Sequence, residues 1–363
     1  MAKNMNGLSR EFIIHPGETL KEILEDRQMS QKELAIRTDV TEPHVSSIVN
    51  CQKAISVSYA KKLEYALGID ASFWVNLQAN YDKELVDFEE INGISDQELE
   101  ILKKLNSIVK HLKEIGILEP EAHGPMLVIN LRRLLNISSL TRIPQIAQTG
   151  VYRIATATNV DPYVLFTWLR MCDLIVKEQE TEQGLDIDRL KDKIPLIKEL
   201  MFEDVAAIQP RLKTYLAKCG IKFSIVKNFR GAPVQGVIKK NSDGTLNLLM
   251  TTRRKFADIF WFTFFHEIGH IINGDIDDKL VDYDFAKGGA EDRADEFAAN
   301  ILIDPAAYED FVAKKDFTLP SIKRFSAEQN IPTYILIGRL QKDGHLGYYQ
   351  YSGEKVKYVL LEG

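Results

Sequence analysis

The stretch from Phe256 to Gly274, FADIFWFTFFHEIGHIING, constrains this chain more than any other. It is apolar nearly all round, which predicts a central buried helix. It nevertheless carries His266, Glu267 and His270 in the spacing H-E-x-x-H. Two histidines and a carboxylate on such a helix would be destabilising without partners. A metal ion is the simplest partner, and a buried helix with two satisfied histidines and a paired glutamate is the alternative.

The spacing of these three residues suits a zinc hydrolase. Residues four apart lie on one face of a helix, so His266 and His270 can both point at one metal ion. Glu267 lies one step round, where its carboxylate can reach a metal-bound water rather than the metal itself. The arrangement offers two imidazole ligands, an open coordination position and a base beside it. A site made of these two histidines and one glutamate ligand from elsewhere in the chain (His2Glu) could also accept Mn2+ or Fe2+ in place of Zn2+.

The segment EDRADEFAAN at residues 291–300 offers a third ligand. Glu291 and Asp295 are four apart, on one face of the predicted helix. Glu291 would complete a His2Glu set, and Asp295 could hydrogen-bond the far nitrogen of a ligand histidine. Glu296 and Asp292 are the next choices, although they lie on other faces. A solvated acidic helix face is the alternative interpretation.

With both motifs in place, the segment from Tyr215 to Asp304 resembles the ImmA/IrrE family of metallopeptidases. The matching pieces are WFTFFHEIGHIING and EDRADEFAANILIDP, the second similar to that family's E-x-x-A-(D/N)-x-F-A helix. The stretch from Tyr215 to Met250 resembles the small sheet that leads into the family's zinc helix. The resemblance implies a catalytic base, Glu267, and three zinc ligands: His266, His270 and Glu291. It also implies cleavage of a transcriptional repressor or a similar regulatory protein.

Residues 16–84 show the pattern of several short helices. Ser30, with Glu33 three residues later, forms a capping box at the start of one helix. Thr41 can cap the next helix, and Pro43 lies in its first turn. Two short helices joined by a turn of three or four residues predict a helix-turn-helix.

This segment resembles the Xre-type repressor fold, most closely its HigA antitoxin branch. The matching pieces are HPGETLKEIL, SQKELA, VSSIVN and FWVNLQANYD. The resemblance implies that Lys53 lies near a phosphate and that five residues face DNA: Gln31, Thr41, His44, Ser46 and Ser47. Asp39 and Cys51 stand where the family often has glycine. Aspartate tolerates the left-handed backbone that such a position requires.

The charge of this segment bears on how it could bind DNA. Between Pro16 and Asp82 there are seven Lys and Arg against ten Asp and Glu, a net charge of −3. Because phosphate contacts supply most DNA affinity, we expect weak binding by a monomer, so that binding needs dimerisation or a well-matched site. We expect a homodimer. An Xre-like fold reused for protein contact is the alternative.

Composition places the whole chain among cytoplasmic proteins. The net charge of −6 argues against a generally basic nucleic-acid coat, though not against a local DNA-binding patch. Three widely spaced cysteines (Cys51, Cys172 and Cys219) indicate neither a disulfide framework nor a cysteine zinc knuckle, which fits a reducing compartment. We expect no membrane partner, because the chain shows neither a signal peptide nor an apolar run approaching ~20 residues.

A chain of 363 residues is long enough for two or three domains. We predict a mainly α protein with a small β-sheet (α+β). Its parts would be a helix-turn-helix domain at 1–84, a helical middle at 85–200 and a zincin-like peptidase domain with a tail at 201–363. The middle shows no chemistry that we can name. Among the expected elements are helices at 94–117, 194–208 and 210–219, and strands at 222–227, 236–240 and 246–250.

These features predict a transcriptional regulator with zinc-dependent endopeptidase activity. A metal-activated water would hydrolyse a regulatory protein, such as a repressor or another copy of this chain. The rival is an antitoxin-like DNA-binding repressor with a structural metal site, which would bind its own operator and a toxin partner without turnover. The two differ in whether the fourth metal position is open to water.

Overall fold

The computed structural model describes residues 10–148, 160–182, 184–251, 253, 255–276, 279–283 and 289–358. These residues form a mainly helical protein with one small sheet, which confirms the predicted α+β class. The chain divides into two compact units. The first holds the described residues up to Leu99 together with His123–Ile129, and the second holds the others. Within the described parts of the chain, no helix is both long enough and apolar enough to cross a lipid bilayer.

The first unit contains the predicted helix-turn-helix. Its described N-terminal part has five helices: α1 (Pro16–Asp26), α2 (Gln31–Thr38), α3 (Glu42–Val49), α4 (Val57–Leu67) and α5 (Ala71–Asn92). Ser30 caps α2, because its hydroxyl accepts a hydrogen bond from the Glu33 N–H at 3.1 Å. Thr41 stands at the N-cap of α3 but makes no side-chain cap bond. The core of the unit is apolar and centres on fully buried side chains: Leu20, Leu34, Val45, Ile48, Leu63 and Trp74.

Two turns of this unit have left-handed backbone. Asp39 ends α2 with φ +48°, so the aspartate adopts the conformation expected of it in the turn. Cys51, just after α3, has φ +59°. Glycine would adopt either conformation without steric penalty.

The second unit carries most of the remaining helices. In chain order the helices are α6 (Asp96–Lys104), α7 (Asn106–Glu114), α8 (Gly124–Leu135), α9 (Ile143–Gln148), α10 (Pro162–Val176), α11 (Ile187–Glu199), α12 (Val205–Ala217), α13 (Ala257–Asn273), α14 (Gly289–Leu302), α15 (Pro305–Ala313), α16 (Leu319–Glu328) and α17 (Thr333–Lys342). The division between the units falls inside α6 and inside α8. The helix predicted at 94–117 is in fact two helices, α6 and α7, which are separated at Leu105.

The predicted helix boundary near Pro210 is wrong. The chain turns at Glu203 and Asp204 instead, and Pro210 lies inside α12. The apolar stripe of α12 explains this, because Ile208, Leu212 and Leu216 are all fully buried at a spacing of four. The stripe continues across the proline, so packing outweighs the hydrogen bond that proline cannot donate.

The sheet has four strands: β1 (Ile221–Val226), β2 (Val234–Lys240), β3 (Leu246–Thr251) and β4 (Lys279–Tyr283). Their order is β1-β3-β2-β4. β1 runs parallel to β3, and β2 is antiparallel to both β3 and β4. The first three strands were predicted, although β2 begins two residues earlier than expected. β4 was not predicted, and its pairing with β2 places Asp282 opposite Gly236.

Helix α13 lies at the centre of the second unit's core, as its composition predicted. Its aromatic residues Trp261, Phe264 and Phe265 are fully buried. Phe264 packs edge-on against Phe223 of β1, with ring centroids 6.0 Å apart. The indole Nε1 of Trp261 donates a hydrogen bond to the hydroxyl of Tyr358 at 2.7 Å, which ties the C-terminal segment to the helix.

Candidate metal centre

Helix α13 brings His266 and His270 together on one face. Their Nε2 atoms are 3.1 Å apart, and their rings meet edge to face with centroids 4.7 Å apart. Both side chains are buried, His270 completely. The four-residue spacing therefore places the two imidazoles as predicted: each presents one nitrogen to the same point.

Helix α14 adds a carboxylate to this point. Glu291 Oε2 lies 3.2 Å from His266 Nε2 and 3.6 Å from His270 Nε2. Within the described residues, these three side chains form a group whose donor atoms all lie within 4.8 Å of one another. Asp292 and Glu296, the two other candidates on α14, are not members of it.

Small residues allow α13 and α14 to approach so closely. Gly269 lies inside the H-E-x-x-H segment and faces α14, where a Cβ at this position would lie 3.1 Å from the ring of Phe297 and 3.2 Å from Cα of Ala294. Ala294 and Ala298 are themselves fully buried. A larger side chain at any of these positions would separate Glu291 from the two histidines.

The second nitrogen of His266 faces a carboxylate. Asp295 Oδ1 lies 2.9 Å from His266 Nδ1. With a metal bound, a proton on Nδ1 would be donated to Asp295, and the Nε2 lone pair would be left for the metal. The other oxygen of Asp295, Oδ2, accepts a hydrogen bond from the Lys342 ammonium on α17 at 3.4 Å.

Asp275 occupies the corresponding position behind His270, and sequence reasoning missed it. Its Oδ2 lies 3.5 Å from His270 Nδ1. The chain returns there because α13 ends at Gly274, whose φ of +73° is the left-handed turn of a helix C-cap. The Asp275 N–H donates to the His270 carbonyl at 3.0 Å and closes that turn. Gly274, directly after the last helical residue Asn273, was the signal that could have revealed it.

The electrostatics of the site favour ionised carboxylates. Hydrogen bonds from His266 and then His270 lower the pKa of Glu291 to about 2, against the opposing effect of burial. The hydrogen bond from His266 is also the main reason that the pKa of Asp295 is lowered. Both groups therefore present negative charge at neutral pH, which is the state that binds a cation.

Glu267 lies on α13 beside this group but is not one of its three donors. Its side chain is fully buried and lies against β2. A Cβ added to Gly236 of β2 would lie 1.8 Å from Glu267 Oε1, so only glycine leaves room for this carboxylate. Gly236 thus has a packing role within β2 that the sequence did not reveal.

The three donors fit a zinc ion. Two nitrogen ligands about 2.0–2.1 Å from a tetrahedral centre lie roughly 3.3 Å apart. The observed separations of 3.1, 3.2 and 3.6 Å lie near that value. Two imidazoles and one carboxylate are the kind of donor set that zinc takes, and a carboxylate lies behind each imidazole.

The residues expected to face DNA lie on α2, at the N-cap of α3, on α3 and in the segment after α3. Thr41 and Lys53 are exposed, and the others are partly exposed. Lys53 Nζ lies 3.0 Å from His44 Nδ1. Burial, followed by the charges of Lys53 and Lys62, lowers the pKa of His44. Two serine hydroxyls are engaged within α3 itself: Ser47 donates to the Pro43 carbonyl at 2.7 Å, and Ser46 accepts from the Asn50 side chain at 3.2 Å.

Part of this chain is similar to curated proteins. Virulence-associated protein A' of Dichelobacter nodosus is 39% identical over 69 residues, which cover 19% of this chain and 60% of that protein. This chain therefore spans less than two thirds of that relative's length. Virulence-associated protein I of the same organism is 35% identical over 75 residues, covering 20% of this chain and 69% of that protein.

A solved structure is also similar to part of this chain. It is the Pseudomonas aeruginosa antitoxin HigA with the higBA promoter, at 38% identity, covering 22% of this chain and 86% of that chain with a TM-score of 0.20. A family model described as helix-turn-helix matches residues 20–74, which contain α2 and α3. Through this N-terminal domain the chain belongs to the helix-turn-helix family and is a relative of virulence-associated protein I.

Proposed function

We propose that this protein is a transcriptional regulator that combines a DNA-binding helix-turn-helix domain with a zinc-dependent endopeptidase. The observation that carries the peptidase half is the convergence of His266 Nε2, His270 Nε2 and Glu291 Oε2 within 4.8 Å. The H-E-x-x-H spacing and the resemblance to the ImmA/IrrE family support the same conclusion.

In this proposal His266, His270 and Glu291 hold the metal. A zinc ion bound there supplies Lewis acidity that polarises a water molecule and the scissile carbonyl. Asp295 fixes the orientation of the His266 ring through a hydrogen bond at Nδ1, and the carboxylate of Asp275 faces His270 Nδ1 at a longer 3.5 Å. Both carboxylates also increase the basicity of the ligand nitrogens.

Glu267 is proposed as the general base. It follows His266 directly, so its carboxylate lies beside the ligand set on α13 rather than within it. It would take a proton from the attacking water and pass it to the leaving amine. The hypothesised substrate is a regulatory protein, such as a repressor or another copy of this chain, as the family resemblance implies.

The DNA-binding half rests on the helix-turn-helix family match. We propose operator DNA as the partner of residues 16–84, bound by a homodimer. Lys53 would contact a phosphate, and the base-facing residues would be Gln31, Thr41, His44, Ser46 and Ser47. The net charge of −3 over this segment makes the dimer important, because two copies double the phosphate contacts.

Metal analysis of the purified protein tests the centre. We expect about one zinc ion per chain in the wild type, and loss of zinc in His266→Ala and in Glu291→Ala. Glu296→Ala is the matched control, because it removes a carboxylate from the same helix outside the donor group. Retention of zinc by Glu291→Ala would move the third ligand elsewhere, to Asp295 first.

Glu267→Gln tests catalysis separately from metal binding. The variant should keep its zinc and lose peptide hydrolysis, measured on a candidate repressor or a peptide library. Retained zinc with unchanged cleavage would exclude Glu267 as the base.

A second candidate function is an antitoxin-like DNA-binding repressor whose metal site is structural. The complete burial of Glu267 favours it, because a general base must reach water. It predicts that wild-type protein with bound zinc hydrolyses no peptide, and that a chelator lowers the melting temperature. Such a protein would bind its own promoter and a toxin partner.

A further inference from the structure

His44 occupies a position in α3 from which a helix-turn-helix reads bases. It is the third residue of the helix and is partly exposed. In helix-turn-helix complexes the second helix of the motif lies in the major groove, and its N-terminal residues contact base edges. The hydrogen-bonding groups that His44 presents would therefore decide which base it favours.

The contact with Lys53 fixes where the His44 ring carries its proton. Lys53 Nζ lies 3.0 Å from His44 Nδ1. A lysine ammonium has three N–H donors and no acceptor, so Nδ1 can only accept in this contact. The proton of the neutral ring is then on Nε2, which makes that nitrogen a hydrogen-bond donor. The ammonium keeps two further N–H groups, so this role is compatible with a phosphate contact by Lys53.

The surroundings of the His44 ring keep it neutral. Burial, followed by the positive charges of Lys53 and Lys62, lowers its pKa. Lys62 is held in place by a hydrogen bond from its ammonium to the Asp39 carbonyl at 3.0 Å. The buried ring of Tyr59 meets the imidazole edge to face, with centroids 5.1 Å apart. A second proton, on Nδ1, would face the Lys53 ammonium directly, so we expect the neutral form with its proton on Nε2.

The two serines of α3 have no comparable polarity. The Ser47 hydroxyl donates to the Pro43 carbonyl at 2.7 Å, so its proton is used within the helix. The Ser46 hydroxyl accepts from the Asn50 side chain at 3.2 Å and can rotate to donate or accept elsewhere. Of the three α3 residues expected to face DNA, His44 is therefore the one that its contacts commit to donating.

From these observations we infer that His44 determines specificity by donating a hydrogen bond from Nε2 to guanine, and that Lys53 is the positioning residue that sets this tautomer before DNA binds. The inference rests on the proposed DNA-binding function and names a base pair that it recognises. In the major groove guanine presents two acceptors, N7 and O6, whereas adenine presents an acceptor beside a donor. Thymine presents one acceptor beside its methyl group, and cytosine presents a donor. A lone N–H donor is therefore matched best by guanine.

Selection from a random duplex library tests the base preference. Full-length protein is incubated with the library, and the bound DNA is sequenced. The wild type should enrich a G·C pair at one position of each half-site. Replacing that pair should weaken binding by roughly five- to tenfold, as expected for the loss of one hydrogen bond.

Variants of His44 assign the preference to this side chain. His44→Ala should lose the preference at that position and keep it at the others. His44→Gln should favour an A·T pair there, because a glutamine amide can bind N6 and N7 of adenine together. Lys83→Ala, an exposed lysine on α5, is the control and should keep the G·C pair. Melting temperatures of all the variants should match that of the wild type, which shows that the domain remains folded.

Nitrogen NMR of full-length protein labelled with 15N-histidine tests the tautomer directly. In the free wild type, the His44 resonances should report a proton on Nε2 and none on Nδ1, with His44→Ala supplying the assignment. In Lys53→Ala the Nδ1 resonance should shift, because the two tautomers then mix. Guanine itself favours the Nε2–H form once DNA is bound, so this variant should keep the base preference. In the complex of wild type with the selected duplex, Nε2 should stay protonated.

The outcomes separate this inference from the proposed function. A selected site at which no position depends on His44 would overturn the inference and leave the DNA-binding proposal standing. Failure of the wild type to select any sequence would overturn the DNA-binding proposal, and the base assignment with it. An unprotonated Nε2 in the complex would mean that the ring accepts from cytosine, which would overturn the donor assignment. A proton on Nδ1 in the free wild type would overturn the role given to Lys53.

Discussion

Lys342 contacts the oxygen of Asp295 that faces away from the metal centre. Its ammonium lies 3.4 Å from Asp295 Oδ2, while Oδ1 lies 2.9 Å from His266 Nδ1. The same ammonium lies 4.0 Å from the ring centroid of Phe262, one turn before His266. A chain of contacts therefore runs from α17 through α14 to the ligand histidine on α13, and it makes the orientation of Asp295 depend on a residue far away in the sequence.

Asp295→Asn should weaken zinc binding by about 10- to 100-fold, the usual cost of losing a carboxylate behind a ligand histidine. Lys342→Met should have a smaller effect, below about tenfold, because it acts only through Asp295. Chelator competition measures both affinities, with Asp292→Asn as the control on the same helix. An unchanged zinc affinity in Asp295→Asn would show that Asp295 does not orient the histidine.

Gly236→Ala should disturb the proposed base directly. The added Cβ would lie 1.8 Å from Glu267 Oε1, so the carboxylate or the strand must move. We expect a loss of about 1–3 kcal/mol in the free energy of unfolding, measured by denaturant titration, and a larger proportional loss of peptide cleavage. Gly353→Ala is the control, because no atom lies within 4 Å of its Cβ position and its φ is not positive. Normal stability in Gly236→Ala would mean that the site can relax around Glu267.

The sequence predicted the parts of this site that depend on local spacing. His266 and His270 meet because a helix repeats about every four residues, and Glu291 and Asp295 share a face for the same reason. Asp275 and Gly236 could not be found in this way, because a C-cap turn and a paired strand bring them to the site. The same limit explains β4, which exists through its pairing with β2, and Pro210, which the buried stripe of α12 overrides.

Asp275→Asn should weaken zinc binding less than Asp295→Asn does. The separation of 3.5 Å between Asp275 Oδ2 and His270 Nδ1 is longer than the 2.9 Å contact behind His266. Arg293 also contacts Asp275, so the substitution removes an ion pair as well.

The variant Arg293→Gln separates the two effects, since it removes the ion pair and leaves the carboxylate. Chelator competition should then rank zinc affinity as wild type, Arg293→Gln, Asp275→Asn and Asp295→Asn, from tightest to weakest. A weaker affinity in Asp275→Asn than in Asp295→Asn would contradict the ranking.

Lys53→Ala tests the DNA-binding half independently of the metal centre. Lys53 is exposed just after α3, and its ammonium lies 3.0 Å from the ring of His44. If it contacts a phosphate, its loss should weaken binding to all sequences about equally. It should also reduce the slope of log affinity against log salt by about 1 for each phosphate that the protein no longer neutralises. Electrophoretic mobility shifts on the protein's own promoter, repeated over a range of salt concentrations, measure both quantities.

Lys83→Ala on α5 is the matched control, an exposed lysine of the same unit outside α2 and α3. An equal change in both variants would mean that Lys53 contributes only to the general charge. No sequence-specific shift in the wild type, even at low salt, would instead favour a helix-turn-helix used for protein contact.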